Sequence, residues 1–307
     1  MDENHVQSGS GRKDPEPSQE DKPVIPSLSR TLVGPLKRMD RWYREAYREA
    51  RKIARVSRPL TMLIGPKHLR SLEHIEIDLT YVCNLKCINC NRSCRQAPST
   101  DHMTVNQIRK FINESAASQM KWRHIRLLGG EPTLHPDLME ILSDLLEYKR
   151  AYSPMTKLKL ATNGHGKKVN EVLARLPGTI EIENSMKEGN VTNFAPFNMA
   201  PRDSVRYRFA DYSNGCRIIE ECGIGLTPYG YYCCAIAGSI DRVFGFDLGR
   251  KTLPLPSDFL MDQLKVFCGF CGHFVTLDRH HTEEEMTERW KSAYKEYSSA
   301  RPRLSRY

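Results

Sequence analysis

No stretch of the sequence approaches the ~18 consecutive apolar residues that a membrane-spanning helix requires. The first thirty residues, Met1 to Arg30, are polar and hold no apolar segment of the secretory type, so a cytoplasmic protein is expected. No internal repeat is present. Hydrophobic residues make up 39% of the chain and charged residues 27%, ordinary values that exclude a collagen-like fibre and a wholly disordered chain. At 307 residues the chain is long enough for one large domain or two modest ones.

The ten cysteines carry more information. A reducing compartment argues against a disulfide framework, and the cysteines are unevenly spread. Four lie between Cys83 and Cys94, four between Cys216 and Cys234, and two at Cys268 and Cys271. Clustered thiols in such a setting read as metal or iron–sulfur ligands.

The net charge of +9 is local. Leu36 to Arg58 holds nine Lys or Arg against three Asp or Glu, two thirds of the whole excess. Residues 1–35, rich in Ser, Pro, Gly and charged side chains, read as a flexible tail. Leu36, Met39, Tyr43, Ala46, Tyr47, Ala50 and Ala54 then recur at helical spacing, opposite Arg38, Arg41, Arg44, Arg48, Arg51 and Arg55. Pro59 is expected to close this helix. Its basic face is read as a solvated surface, with a nucleic-acid or anionic-surface contact as the alternative.

Beyond residue 70 the period changes. Strands are predicted over His74 to Leu79, Arg123 to Leu128, Lys157 to Ala161 and Thr179 to Glu183. Helices are predicted over Asn106 to Ala117, Pro136 to Lys149 and Lys168 to Arg175. That alternation argues an α/β fold with a parallel sheet, open or curled into a barrel, whose chemistry gathers at the C-terminal strand ends. After Tyr212 the chain becomes cysteine-rich: a hairpin over Ile224 to Cys234, a helix over Asp258 to Phe267, then Cys268-Gly-Phe-Cys271. A charged helix over Thr282 to Tyr297 and a basic tail follow.

Directly after the first strand stands Cys83-Asn-Leu-Lys-Cys87-Ile-Asn-Cys90. Three thiolates in one short loop can hold three irons of a 4Fe–4S cubane and leave the fourth open. A zinc site with Cys94 as fourth ligand is the alternative, although C-x3-C-x2-C is not the paired spacing usual for zinc. After the second strand comes Gly129-Gly130-Glu131-Pro132, and after the third Thr162-Asn163-Gly164.

These three motifs, in this order and each at a strand end, resemble those of the radical S-adenosylmethionine (SAM) superfamily. The resemblance covers residues 74–185 and implies a partial, six-stranded (β/α) barrel. It implies that Cys83, Cys87 and Cys90 ligate a 4Fe–4S cluster that binds SAM, and that Gly129, Gly130, Glu131 and Pro132 meet the SAM amino group. It further implies that Thr162, Asn163 and Gly164 lie by the SAM ribose. The position before the third cysteine, usually aromatic in this superfamily, is Asn89 here. The same resemblance implies an electron donor such as flavodoxin or ferredoxin.

The six later cysteines resemble the SPASM and twitch extensions of this superfamily. The shorter twitch form, with one auxiliary 4Fe–4S cluster, fits six thiols and one C-x2-C pair better. That likeness implies Cys216, Cys234, Cys268 and Cys271 as its ligands. Cys222 remains an alternative ligand through its C-x5-C spacing from Cys216. If Cys222 and Cys233 are not ligands, either becomes a candidate hydrogen donor to a substrate radical. The expected domains are a tail (1–35), a basic helix and linker (36–69), a radical SAM core (70–212), a twitch-like unit (213–277) and a charged helix with its tail (278–307).

The implied function is a radical SAM oxidoreductase that acts on a small hydroxylated molecule of the amino sugar or aminocyclitol type, by oxidation or epimerisation. The alternative is a maturase for a ribosomally made peptide. A nucleic-acid partner is not expected, because binding alone has no use for an open iron site.

Overall fold

The computed structural model describes residues 42–44, 46–190, 197–274 and 286–307. The tail expected over 1–35, and the starts of the two flanking helices expected from Leu36 and from Thr282, lie outside the described residues. The chain divides into two units, 1–49 and 50–307. In the first, the described residues 42–44 and 46–49 are helical. Among the described residues no helix is long and apolar enough to cross a membrane.

In the second unit, residues 50–55 are helical, but Pro59 does not do what was expected of it. The helix ends before Val56, and Ser57 becomes the N-cap of a new helix, α1 (Arg58–Ile64), with Pro59 in its first turn. A proline lacks only an N–H that the first turn leaves unbonded anyway, so it starts a helix as readily as it stops one.

The core is one six-stranded sheet in the order β4-β3-β2-β1-β5-β6. Strands β1 (His74–Thr80), β2 (His124–Gly129), β3 (Lys157–Thr162) and β4 (Glu181–Asn184) run parallel. They are joined by helices α2 (Val105–Ala117), α3 (Leu138–Ala151) and α4 (Lys167–Leu173). Alternation along the strands decides the faces. Ile75, Ile77, Leu79, Ile125, Leu127, Leu158 and Leu160 are buried with Ile108 and Phe111 of α2 and Ile141, Leu142 and Leu145 of α3. Glu76, Asp78, Arg126, Lys159 and Glu183 take the alternate positions on the other face. A capping box opens α2: Gln107 N donates to Thr104 Oγ1 at 3.1 Å and Thr104 N to Gln107 Oε1 at 2.9 Å.

The expected cysteine-rich hairpin forms as β5 (Ile224–Thr227) and β6 (Gly230–Tyr232), and it extends the same sheet. β5 pairs parallel with β1, matching Ile77 to Leu226, and β6 turns back antiparallel as the far edge. All four residues of β5 are buried, which a hairpin standing alone cannot provide. The result is an open α/β sheet in which the βα repeat supplies four strands and the cysteine-rich half supplies two.

Short α5 (Arg217–Glu221) precedes β5, and α6 (Ala235–Phe244) follows β6. Sequence periodicity gives no sign of α6 because nine of its ten residues are buried, including Asp241 and Arg242. Tyr232 donates to Asp241 at 2.7 Å, and Arg242 donates to the carbonyls of Ala97 and Arg92. The last helices are α7 (Met261–Phe267) and α8 (Glu288–Ser299).

Candidate active site

The loop after β1, the end of β2 and the end of β3 enclose a cavity of about 300 Å³. Its wall holds the sulfur-bearing residues Cys83, Cys87 and Cys90, the backbone of Gly129 and Gly130, and Thr162 and Asn163. The three motifs thus meet at one place.

Both glycines are required by the close approach of β2 to the cysteine loop. Gly129 has φ +131°, and a Cβ there would stand 2.3 Å from Thr80 O; one on Gly130 would stand 2.2 Å from Val82 O. The contact is sealed by Gly130 N donating to Thr80 O at 2.6 Å and Glu131 N to Val82 O at 2.8 Å.

Glu131 and Pro132 do not line the cavity; both are buried behind it. Glu131 Oε1 accepts from Thr133 N at 3.2 Å, Thr133 Oγ1 at 2.8 Å and Thr162 Oγ1 at 2.8 Å, and Oε2 accepts from Asn163 N at 2.7 Å. The carboxylate therefore clamps the end of β2 to the turn after β3. Asn163 carries the link onward: its Nδ2 donates to Asn84 Oδ1 at 2.8 Å and lies 3.9 Å from Cys83 Sγ. Asn84 Nδ2 in turn donates to His165 O at 2.7 Å. Gly164, at φ +67°, makes the turn and is absent from the wall. Asn89 is buried at φ +49°, a left-handed position that asparagine tolerates far better than an aromatic residue does, and it too lies off the wall.

Burial pushes the Cys83 thiol up to about 11, and neighbouring Cys90, Glu131 and Cys87 add to the shift. Cys90 is lowered, chiefly because the Cys94 thiol donates a hydrogen bond to it, with backbone N–H groups and the Arg92 charge assisting. Cys94 is raised by the same bond and stands behind Cys90, off the cavity wall.

Sequence reasoning missed the polar floor of this cavity, which includes Arg92, Arg126, Glu183, Ser185 and Lys187. Arg92 Nη2 donates to Glu76 Oε2 at 3.0 Å, and its Nε donates to Asp78 Oδ1 at 3.2 Å. Arg126 bridges Glu76 Oε1 at 2.5 Å and Glu183 Oε2 at 2.6 Å, and Lys159 reaches Glu183 Oε1 at 3.0 Å. Burial works to raise Glu76, but Arg92 and Arg126 outweigh it and hold the carboxyl below its ordinary value. In Asp78 burial wins and the carboxyl rises to about 6. The available signal was the alternate polar positions of β1, β2 and β4.

The later cysteines separate. Cys216, Cys234, Cys268 and Cys271 line one small apolar cavity, together with Cys233, Ile236, Phe267 and Phe274. Burial pushes Cys216 up to about 12 and raises Cys268 and Cys271 well above the ordinary thiol value, while the Cys233 thiol donates to Cys234 and lowers it. The open space is about 10 Å³, one water's worth, so a cluster there requires the five thiols to move apart. Cys222 is not on this wall. It is raised to about 12, first by burial, and its thiol bonds to Glu76 in the charged network. Among the described residues no three Cys, His, Asp or Glu side chains close to the spacing of a single metal ion.

Residues 77–224 match the family model of the Radical SAM superfamily, from β1 to the start of β5. This stretch of the chain is a radical SAM domain. Its cofactors are accordingly a 4Fe–4S cluster and SAM, and three thiols on the wall of one cavity are a donor set that fits them. The family match stops before Cys233, Cys234, Cys268 and Cys271.

Among curated proteins, the chain is 34% identical over 95 residues to a probable GTP 3',8-cyclase of Pyrococcus horikoshii, covering 31% of this chain and 28% of that one. It is 28% identical over 194 residues to the GTP 3',8-cyclase of Desulforamulus reducens, covering 61% and 54%. The radical SAM chain thus spans about half or less of the length of these relatives. Among solved structures, BtrN in complex with AdoMet and 2-DOIA is 12% identical, with a TM-score of 0.37, covering 75% of this chain and 88% of that one.

Proposed function

We propose that the chain is a radical SAM oxidoreductase acting on a small hydroxylated substrate of the amino sugar or aminocyclitol type. The observation that carries this reading is the cavity itself, whose wall joins three cysteines to charged, hydrogen-bonding side chains. Cys83, Cys87 and Cys90 hold the SAM-binding cluster, and Cys216, Cys234, Cys268 and Cys271 hold an auxiliary one. When bound, the first cluster supplies the electron that cleaves SAM to methionine and a 5′-deoxyadenosyl radical, which removes hydrogen from the substrate.

The chain's own contribution is position and polarity. Glu131 fixes Thr162 and Asn163, and through Asn163 the cysteine loop, so the groups facing SAM are set before it arrives. Arg126 and Glu183, each about one third exposed and held by a mutual ion pair, offer donors and acceptors to hydroxyl or ammonium groups. An apolar substrate would strip water from this partly exposed pair and offer no hydrogen bond in return. Cys216, Cys234, Cys268 and Cys271 around one apolar pocket support oxidation, since a cluster held by them would give the substrate's second electron an acceptor. Cys222, hydrogen-bonded to Glu76 in the same charged network, is the hydrogen donor if the outcome is epimerisation.

Anaerobic reconstitution tests the cluster assignment. The native chain is expected to hold roughly eight irons; the triple Cys83→Ala, Cys87→Ala, Cys90→Ala variant and the double Cys268→Ala, Cys271→Ala variant are each expected to hold roughly four. A native value of roughly four that the double variant leaves unchanged would remove the auxiliary cluster. Mass spectrometry of an aminocyclitol panel then reads the reaction: loss of two hydrogens means oxidation, and solvent deuterium uptake at unchanged formula means epimerisation. No turnover of that panel, with 5′-deoxyadenosine formed on an added precursor peptide, would overturn the small-molecule reading.

A further inference from the structure

Arg242, on α6, is only 2% exposed and does not reach the cavity wall. Every partner of its guanidinium is neutral. Nη1 donates to Ala97 O at 2.7 Å and to the Tyr297 hydroxyl at 2.8 Å, and Nη2 donates to Arg92 O at 2.9 Å. Its Cζ lies 4.3 Å from the centre of the Tyr81 ring and 5.4 Å from that of Tyr297. Nε is buried without a partner. Among the described residues Arg242 forms no ion pair. The neighbouring carboxylate, Asp241, is engaged by the Tyr232 hydroxyl at 2.7 Å and Leu248 N at 3.0 Å.

Carbonyl oxygens and tyrosine faces recover part of the cost of burying a cation, but they do not neutralise it. A buried charge without a counter-charge is expensive, so its place in the fold points to where an anion belongs. Here that place is the cysteine loop. The two carbonyls that Arg242 holds belong to residues 92 and 97, and this stretch follows directly on Cys90. Arg92 O also lies 4.0 Å from Cys94 Sγ, so the guanidinium and this thiol share one carbonyl. Cys94 in turn donates to Cys90. Arg92 itself is already answered by Glu76 and Asp78, at 3.0 Å and 3.2 Å. Of the two arginines at this loop, Arg242 is the one whose charge is left over.

We propose that Arg242 is the counter-charge of the cluster held by Cys83, Cys87 and Cys90, and that it makes this cluster easier to reduce. The proposal rests on the reading that those three cysteines hold a 4Fe–4S cluster. Three thiolates leave such a cubane net negative, and one electron from a reductant adds a further negative unit, with no bond made or broken. A positive charge fixed in a buried place favours the more negative state, and it needs no rearrangement when the electron arrives. A guanidinium keeps its proton in proteins, so the charge is permanent. Arg242 acts through the cluster and is a positioning residue.

An EPR-monitored redox titration of the full reconstituted chain tests this, read on the signal that added SAM perturbs. Arg242→Gln removes the charge and keeps a donor. Its cluster should be at least about tenfold harder to reduce, a potential lower by about 59 mV for one electron, with iron per chain unchanged. Arg242→Lys restores the charge without the forked geometry, and its potential should return most of the way to the native one. A Gln variant with the native potential overturns the proposal. So does a Lys variant shifted as far as the Gln variant, because the hydrogen bonds to the loop would then be the cause. Should Arg242→Gln fail to fold or to load iron, Tyr297→Glu sets a carboxylate beside the guanidinium in place of the phenol. The potential should again fall, and an unchanged one overturns the proposal. Failure of the underlying cluster reading has its own signature: the native chain and the triple Cys83→Ala, Cys87→Ala, Cys90→Ala variant would hold equal iron, and neither would show a SAM-sensitive signal.

Discussion

Replacing Glu131 by Gln is the sharpest single test of how the site is held. The side chain is fully buried and receives four hydrogen bonds, three on Oε1 and one on Oε2. A glutamine has one oxygen to offer. Its better orientation keeps that oxygen toward Thr133 and Thr162, and then its amide nitrogen faces Asn163 N across 2.7 Å, donor against donor. One strong bond is lost and a buried N–H is left without an acceptor, which together cost about 3 kcal/mol. In a body of this size that corresponds to a fall in Tm of about 6–12 °C, readable by circular dichroism on the cluster-free chain. The damage should be directional as well. The turn at Thr162 and Asn163 loosens while the cysteine loop keeps its own Thr80 and Val82 contacts, so SAM affinity should fall with iron content unchanged. A Tm within about 1 °C of the native chain, with SAM affinity preserved, would refute the clamp; the Gly129–Gly130 contacts alone would then be holding the strand ends together.

Asp78→Asn tests the buried charges through pH. The native carboxyl is raised to about 6 by burial, so it contributes stability at low pH that is lost as pH climbs from about 4 through 6. The variant, free of that loss, should gain stability relative to the native chain by a few kcal/mol between pH 4 and pH 7; a constant difference would show that Asp78 does not titrate there. Glu76 acts with the opposite sign, its lowered carboxyl giving stability that is lost only in acid, so Glu76→Gln should destabilise most above the ordinary carboxylate range. Cys94→Ala removes the donor that lowers Cys90, so alkylation of Cys90 by iodoacetamide in the cluster-free chain at neutral pH should slow several-fold. An unchanged rate would place the cause of the lowering in Arg92 and the backbone instead.

Local pattern carried much of this molecule. The alternation of HIEIDL and RHIRLL announces β1 and β2 because buried and polar faces differ at period two. The Thr104–Gln107 pair marks the start of α2 by closing hydrogen bonds within four residues, a local signal that the helix predicted from Asn106 did not use. Where environment is uniform or signals cut both ways, the pattern is silent. α6 has almost no polar face to show, and Pro59 reads equally as an end or as a beginning. Glu131 sits in a motif that places it near a ligand, and only its four hydrogen bonds, from Thr133, Thr162 and Asn163, reveal it as a clamp.

The sequence by itself determined the chemistry on offer: C-x3-C-x2-C, the double glycine and Thr162-Asn163, each at a strand end, because spacing along a chain and the direction of parallel strands are local properties. The tertiary structure decided how the remaining groups are shared out. It placed Cys222 on Glu76 and away from Cys216, six residues before it at the other end of helix α5, and it joined Arg92, Arg126 and Glu183 into one floor from three separate segments. Such choices depend on which side chains meet across the sheet, and those meetings are set by burial and charge pairing between residues 16, 50 and 57 positions apart, distances over which no local signal survives.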